Sequence, residues 1–259
     1  MRAGTLPVLR AGVALERPPV AAELTARRVR VRYGDQVALH GVDVAVPAGS
    51  CVAVLGANGA GKSSLLGAIS GLNRPIEGEI HFAGVRIDRR PAHRIGALGI
   101  CHVPEGRGVF PSLTVAENLR LALRDEDEVA LAVERFPRLG ERINQRAGTL
   151  SGGEQQMLAV AGAVVGGYRL LQVDELSLGL APVIVDELFS VLAGLRAEGT
   201  SMVIVEQFAE RALELADHAY VLRKGTVAFR GPASELRGDA DLLHRLYLGG
   251  TRGSGGVPR

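Results

Sequence analysis

The sequence lacks any apolar segment long enough to cross a membrane. A membrane helix needs roughly 18 to 20 consecutive apolar residues, and the nearest run, Met157 to Gly167, is short and interrupted by glycine. The N-terminal stretch is broken by Arg10, Glu16 and Arg17, so it has no continuous apolar segment of the kind that a secretory signal requires. We therefore expect a cytosolic chain that does not itself span a membrane.

Cysteine and lysine are also scarce. Cys51 and Cys101 are the only cysteines, and each lies in or beside an apolar run, which favours small buried thiols over a disulfide or a metal pair. The only lysines are Lys62 and Lys224. With a formal net charge of +2 and no basic block, the charge pattern gives no indication of a nucleic-acid partner.

Short apolar runs alternate with helical patterns along most of the chain. The unbroken apolar runs are typical of buried parallel strands, and they cover residues 51–55, 169–173 and 202–205. The helical patterns cover residues 62–69, 182–195 and 208–216. This βαβ order predicts an α/β fold with a mainly parallel sheet.

Other regions depart from that order. Residues 28–33 and 42–46 alternate like half-exposed strands, whereas residues 106–156 carry helical patterns over 115–123 and 126–136 without a convincing strand. We expect one domain over residues 24–248, with an α/β core (24–105 and 157–248) and an inserted helical subdomain (106–156). Residues 1–23 and the glycine-rich 249–259 are predicted to be disordered.

A glycine-rich loop follows the first buried strand and opens a helix. It reads Gly56, Ala57, Asn58, Gly59, Ala60, Gly61, Lys62, Ser63, with Ser64 next in the helix. Glycines allow backbone N–H groups to turn around an anion, the helix contributes the positive end of its dipole, and Lys62 adds a cation. We predict that this segment binds a triphosphate and that Ser63 ligates Mg²⁺. A tightly packed turn would explain the glycines but not the Lys-Ser pair.

Two carboxylates, Asp174 and Glu175, end the apolar run that begins at Leu170. Ligands collect at strand ends of this kind in parallel sheets. Asp174 is placed to hold Mg²⁺ through water, and Glu175 is placed to orient or deprotonate a water for in-line attack on the γ-phosphorus. The alternative interpretation is an ordinary acidic loop at a strand end. The presence of the glycine-rich segment 56–63, called the phosphate loop below, disfavours that interpretation.

A third motif, Leu150-Ser151-Gly152-Gly153-Glu154-Gln155-Gln156, precedes the acidic pair by about twenty residues. It resembles the signature of ABC ATPases, and the order of phosphate loop, signature and acidic pair extends the resemblance over residues 24–231. More narrowly, the sequence resembles the ATP-binding subunits of branched-chain amino-acid importers. This narrower resemblance rests on four segments: Val103-Pro104-Glu105-Gly106-Arg107, residues 110–119, residues 177–182 and Val205-Glu206-Gln207. This resemblance implies a P-loop core with an antiparallel N-terminal β subdomain.

The resemblance also implies roles for single residues. Tyr33 matches the aromatic residue on which adenine stacks, although a core tyrosine is the rival interpretation. Glu105 stands where many ABC ATPases carry glutamine, contacting the metal and sensing the membrane partner. Gln207 replaces the usual switch histidine, and its amide can still donate a hydrogen bond to the γ-phosphate.

In this family the signature completes the ATP site of the opposite subunit. The resemblance therefore implies that Ser151, Gly152, Gly153 and Glu154 meet ATP bound to a second, identical or paralogous subunit. It further implies permease subunits and, indirectly, an extracytoplasmic substrate-binding protein as partners, with the chain at the cytoplasmic face of the membrane. No nucleic-acid partner is expected.

Three positions depart from the family pattern. Leu176 replaces the proline that follows the catalytic glutamate, so a fixed φ angle is lost. Gly162 replaces an arginine in the helix after the signature, and a mid-helix glycine costs roughly 0.5–1 kcal/mol relative to alanine. Gln172 puts an amide in a strand expected to be buried.

These motifs predict an ATP-hydrolysing importer subunit that powers uptake of branched-chain or related amino acids. Two alternatives stay open. A soluble ABC ATPase acting on nucleic acid or ribosomes would usually carry tandem cassettes or a long coiled coil, and neither is present in this sequence. A slow or non-hydrolysing regulatory subunit is supported only by the three departures.

Overall fold

The computed structural model describes residues 23–106, 108–207 and 209–248. The predicted disordered segments therefore lie outside the described residues, apart from Glu23. The described strands are β1 (Leu24–Tyr33), β2 (Gln36–Val46), β3 (Cys51–Leu55), β4 (Glu77–Phe82), β5 (Val85–Arg86), β6 (Ile100–Val103), β7 (Leu170–Asp174), β8 (Ser201–Glu206), β9 (His218–Arg223) and β10 (Thr226–Pro232). The described helices are α1 (Lys62–Ile69), α2 (Ala92–Gly96), α3 (Val115–Ala122), α4 (Glu126–Arg135), α5 (Pro137–Glu141), α6 (Gly152–Val165), α7 (Pro182–Ala197), α8 (Ala209–Leu215) and α9 (Ala240–Leu248).

A six-stranded sheet forms the centre of the molecule, in the order β10-β9-β3-β8-β7-β6. All of its pairs are parallel except the β9–β10 hairpin. Strands β3, β7 and β8 are buried along their whole length, because helices cover one face of the sheet, and α1 with the N-terminal strands covers the other. The apolar runs predicted as buried strands are thus confirmed, and their carboxyl ends share one edge.

A separate four-stranded antiparallel sheet, ordered β2-β1-β4-β5, contains the N-terminal strands. Its apolar face shares a core with α1 and with one face of the central sheet. The two sheets are also joined by polar contacts: the N–H of His40 donates to the carbonyl of Gly225 at 2.9 Å, and the N–H of Ala45 donates to the Tyr220 hydroxyl at 3.0 Å. These contacts fix the β1–β2 hairpin beside the phosphate loop.

Helices α3, α4 and α5 lie between β6 and α6 in the chain, and their apolar faces join the core on the other side of the central sheet. Capping boxes begin α3, where Thr114 pairs with Glu117, and the following helix α6, where Ser151 pairs with Glu154. The predicted fold class is confirmed: a mainly parallel sheet, an antiparallel N-terminal sheet and inserted helices.

Both cysteines are free thiols, Cys51 buried and Cys101 half-buried, and burial raises the pKa of each to about 12. The longest described helix, α7, has 16 residues. Within the described ranges, no helix combines the length and apolarity needed to cross a bilayer.

Candidate active site

An open cleft of about 640 Å³ lies where the carboxyl edge of the central sheet meets the β1–β2 hairpin. It brings together residues from distant parts of the chain. Its walls are Tyr33, Gln36, Val37, Ala38, His40, Asn58, Gly59, Ala60, Gly61, Lys62, Ser63, Ser64, Glu105, Glu175, Leu178, Gln207 and Lys224. Most of the residues that the sequence predicts to bind nucleotide are therefore neighbours in space.

The phosphate loop reaches this cleft through a turn that only glycine allows. Gly61, immediately before α1, has φ +106°, and a Cβ there would lie 2.6 Å from Leu39 Cδ2 and 2.9 Å from the Ala38 carbonyl oxygen. No side chain caps the first turn of α1. The open N–H groups at that helix end, together with the helix dipole, favour an anion in the cleft.

Lys62 is the cation of this loop, and it is almost completely buried, with 4 % of its surface exposed. Its Nζ donates to the Gly56 carbonyl at 2.8 Å and lies 3.4 Å from that of Ala57. The same Nζ lies 3.2 Å from Glu175 Oε1. The lysine expected to bind phosphate is thus paired with the glutamate expected to position water.

Glu175 has a left-handed backbone, with φ +46°, a conformation that costs a non-glycine residue of order 1–3 kcal/mol. Its N–H donates to the Val205 carbonyl at 2.9 Å. The next residue, Leu176, is 1 % exposed and belongs to the core. Leu176 stands where the resemblance implies a proline, and its burial restrains the loop directly after Glu175.

Asp174 lies near Ser63 and Lys62 and near the two other carboxylates of the site, Glu175 and Glu105. Burial raises its pKa, as do the carboxylates of Glu175 and Glu105, whereas the hydrogen bond from Ser63 and the charge of Lys62 lower it; the net pKa lies above the usual value. Its Oδ1 is buried without a hydrogen-bond partner among the described residues. A free carboxylate oxygen beside a hydroxyl is the oxygen-only donor set that Mg²⁺ prefers.

The described residues contain no group of three or more His, Cys, Asp or Glu side chains that could hold a metal ion. A Mg²⁺ at Ser63 and Asp174 would therefore need further oxygen ligands from phosphate and water, as Mg²⁺ commonly takes. The residues present fit that arrangement.

Tyr33, Glu105 and Gln207 all lie in the cleft wall. Tyr33 is 47 % exposed, so the rival interpretation of a core tyrosine does not hold. Its ring is available for stacking, and Gln207 follows β8 directly at the same sheet edge as Glu175.

The signature residues, in contrast, are absent from the cleft wall. Ser151 is exposed at the start of α6, where its hydroxyl accepts from the N–H of Glu154 at 3.3 Å. Burial opposes ionisation of Glu154, but hydrogen bonds from Ser151 and Arg142 bring its pKa below the usual value. Within one chain, this exposed helix end does not contribute to the cleft.

Glu206 is a functional candidate to which the sequence analysis gave no role. It is 1 % exposed at the end of β8, where Ser177 donates to it from both N–H and O–H. A charged residue directly after the apolar run 202–205 is the signal that could have identified it, since a buried carboxylate needs partners.

A family model described as ABC transporter matches residues 39–177 of the chain. The chain belongs to the ABC transporter family. It is 43 % identical to the high-affinity branched-chain amino acid transport ATP-binding protein BraG of Pseudomonas aeruginosa, over 88 % of this chain and 100 % of that protein. The probable branched-chain amino acid transport ATP-binding protein LivF of Archaeoglobus fulgidus is 39 % identical, with 86 % and 97 % covered.

Solved structures agree with this family. An ATP-binding subunit of an ABC transporter superposes with a TM-score of 0.76 at 27 % identity, covering 87 % of this chain and 98 % of that one. The ADP conformation of another ABC cassette, at 24 % identity, gives the same TM-score over 88 % and 99 %, which supports the shared fold. The chain is thus an ABC-type ATPase subunit.

The remaining two departures of this ABC ATPase have different structural consequences. Gly162 lets α6 approach α3 closely, because a Cβ there would lie 2.7 Å from Ala122 Cβ. Gln172 is completely buried in β7, and neither its Oε1 nor its Nε2 has a partner among the described residues. The expected burial of this amide is confirmed, and an unsatisfied group of this kind costs ~1–3 kcal/mol.

Proposed function

We propose that this ABC ATPase powers an importer of branched-chain or related amino acids from the cytoplasmic face of the membrane. The observation that carries the proposal is the single cleft that gathers Lys62, Ser63, Glu105, Glu175 and Gln207. The substrate class is supported by the identity of 43 % to a branched-chain amino acid transport subunit that is covered over its whole length.

In this proposal the phosphate loop binds ATP. The N–H groups that open α1 surround the phosphates, and Lys62 exchanges Glu175 for a phosphate oxygen. The exposed ring of Tyr33 stacks on adenine, a contact worth ~1–3 kcal/mol by analogy with base stacking. Ser63 and Asp174, with Glu105 beside them, would hold Mg²⁺, which would neutralise charge on the phosphates.

Release from Lys62 frees the Glu175 carboxylate for its second role. Glu175 then orients the attacking water and accepts its proton, while Gln207 donates a hydrogen bond to the γ-phosphate. In phosphoryl transfer much of the acceleration comes from positioning and electrostatics, so the placement of Glu175 matters as well as its basicity.

The site is completed by a second ATPase subunit. Ser151 and the N–H groups at the start of α6 are exposed and lie outside the chain's own cleft, which supports their use on ATP bound to the partner. Two chains would close head-to-tail over two ATP molecules, and hydrolysis would let them separate. Permease subunits and an extracytoplasmic binding protein would then couple this cycle to uptake.

Uptake of radiolabelled leucine, isoleucine and valine tests this proposal in cells whose only copy of the chain is wild-type or Lys62→Ala. We expect branched-chain uptake to fall to background in the variant at equal protein level, while uptake of an unrelated sugar continues. Unchanged branched-chain uptake, or loss of the sugar instead, would refute the substrate assignment.

A further inference from the structure

Glu206 lies in the middle of the carboxyl edge of the central sheet. It ends β8, which lies between β3, the strand before the phosphate loop, and β7, the strand that carries Asp174. Its register partner in β3 is Leu55, directly before Gly56. A carboxylate at this position adjoins both halves of the ATP site while being 1 % exposed.

The carboxylate of Glu206 holds the loop that follows Glu175. Ser177 donates its N–H to Oε1 at 3.1 Å and its O–H to Oε2 at 2.7 Å. The backbone N–H of Leu176 lies near the same carboxylate and acts to lower its pKa. Because the N–H of Glu175 donates to the carbonyl of Val205, residues 175–177 are all tied to the end of β8.

Burying the Glu206 carboxylate at this position is energetically unfavourable, because the charge loses its hydration. Burial raises the pKa of Glu206, and the nearby charge of Glu175 raises it further, although the donors from residues 176 and 177 act in the opposite direction. An apolar side chain would avoid the desolvation cost but would leave the N–H groups of the loop without acceptors. The left-handed backbone of Glu175 needs such surrounding restraint to persist.

We infer that Glu206 is a positioning residue for ATP hydrolysis, which fixes the backbone at Leu176 and Ser177 and thereby the direction in which the Glu175 carboxylate points. The inference rests on the proposed role of Glu175. Glu206 acts through the loop and does not itself touch substrate. It also precedes Gln207 in the chain, so one carboxylate links the two candidate groups that face the γ-phosphate.

Steady-state ATPase kinetics of the purified full-length chain test this role. Glu206→Ala removes the carboxylate oxygens that accept hydrogen bonds from the loop. Because misplacing a reacting group by about 1 Å lowers a rate by up to ~100-fold, we expect kcat to fall at least ~10-fold. The KM for ATP should change little. Glu206→Gln should rescue most of kcat, because Oε1 still accepts from backbone N–H and Nε2 can donate to the Ser177 oxygen.

Two further variants distinguish a role of Glu206 in positioning Glu175 from a general loss of protein stability. Ser201→Ala removes a buried hydroxyl from the opposite end of the same strand, where it accepts from the N–H of Gly49 at 2.9 Å; it should lower stability while leaving kcat unchanged. Ser177→Ala removes one donor to Glu206, so kcat should fall less than in Glu206→Ala. The double variant Ser177→Ala/Glu206→Ala should be no slower than Glu206→Ala alone. If Glu206→Ala fails to fold, Ser177→Ala and Glu206→Gln still carry the test.

The inference is overturned if Glu206→Ala keeps wild-type kcat, if Glu206→Gln is as slow as Glu206→Ala, or if Ser177→Ala has no effect on kcat. A parallel rise in KM would equally contradict it, because that result indicates a damaged ATP site. Normal hydrolysis by Glu175→Gln would instead refute the proposed function. The two failures are therefore distinguishable.

Discussion

Lys62 and Glu175 form an ion pair inside the cleft, with Nζ 3.2 Å from Oε1 and side chains only 4 % and 10 % exposed. Solvent screens such a pair far less than a surface pair. The two groups thus neutralise each other in this structure. In the proposed mechanism an incoming phosphate replaces Glu175 as the partner of Lys62, so we expect ATP binding to release Glu175.

The two lysines of the chain provide a matched test of the phosphate loop. Lys62→Ala should weaken ATP binding at least ~10-fold, because a buried cation in hydrogen-bonding distance of phosphate contributes a charge-assisted bond. Lys224→Ala should weaken it much less, since Lys224 lines the same cleft but is exposed and its charge is screened. Isothermal titration with ATP measures both; equal losses would contradict a specific role for Lys62.

Gly162 allows a test of the contact between α3 and α6. Gly162→Ala brings a methyl group to 2.7 Å from Ala122 Cβ, so overpacking of ~1–3 kcal/mol should outweigh the helix-propensity gain of ~1 kcal/mol. We expect a lower free energy of unfolding by urea titration. Adding Ala122→Gly makes room for the methyl group and should cancel the packing penalty. No coupling between the two substitutions would contradict the close contact.

Gln172→Met tests the buried amide in β7. Methionine has a similar shape without polar atoms, so the variant should raise the free energy of unfolding by about 1 kcal/mol, as removal of an unsatisfied buried group predicts. Gln172→Glu should lower it by several kcal/mol, because it buries a charge. Thermal and urea unfolding measure both changes. A destabilised methionine variant would show that the amide has a stabilising partner.

Much of this fold could be predicted because the deciding signals are local. The phosphate loop is contiguous, and α1 begins and ends at the predicted Lys62 and Ile69. Strands β3, β7 and β8 were identified from unbroken apolar runs. In contrast, β4 and β10 were missed, because these partly exposed strands contain polar and charged residues and have no such run. Strand β9 was also missed, although its four central residues are apolar and buried.

The geometry of the site could be predicted less well than its composition. The Lys62–Glu175 pair and the bonds from Ser177 to Glu206 join residues that are distant in the sequence, and only the order of strands in the sheet makes them neighbours. The left-handed backbone of Glu175 has no sequence signal, because glutamate rarely adopts it. Residue types therefore predict a candidate site but not these contacts.

The central claim is that Glu175 is the group that activates water and that it is held by Lys62 until ATP binds. ATP binding and phosphate release by Glu175→Gln, measured on the same purified protein, test it most directly. We expect ATP to bind at least as tightly as to wild type, since Glu175 no longer competes as a charged partner of Lys62. Phosphate release should fall by ~100-fold or more, because the general base is lost. Turnover close to that of wild type would contradict it.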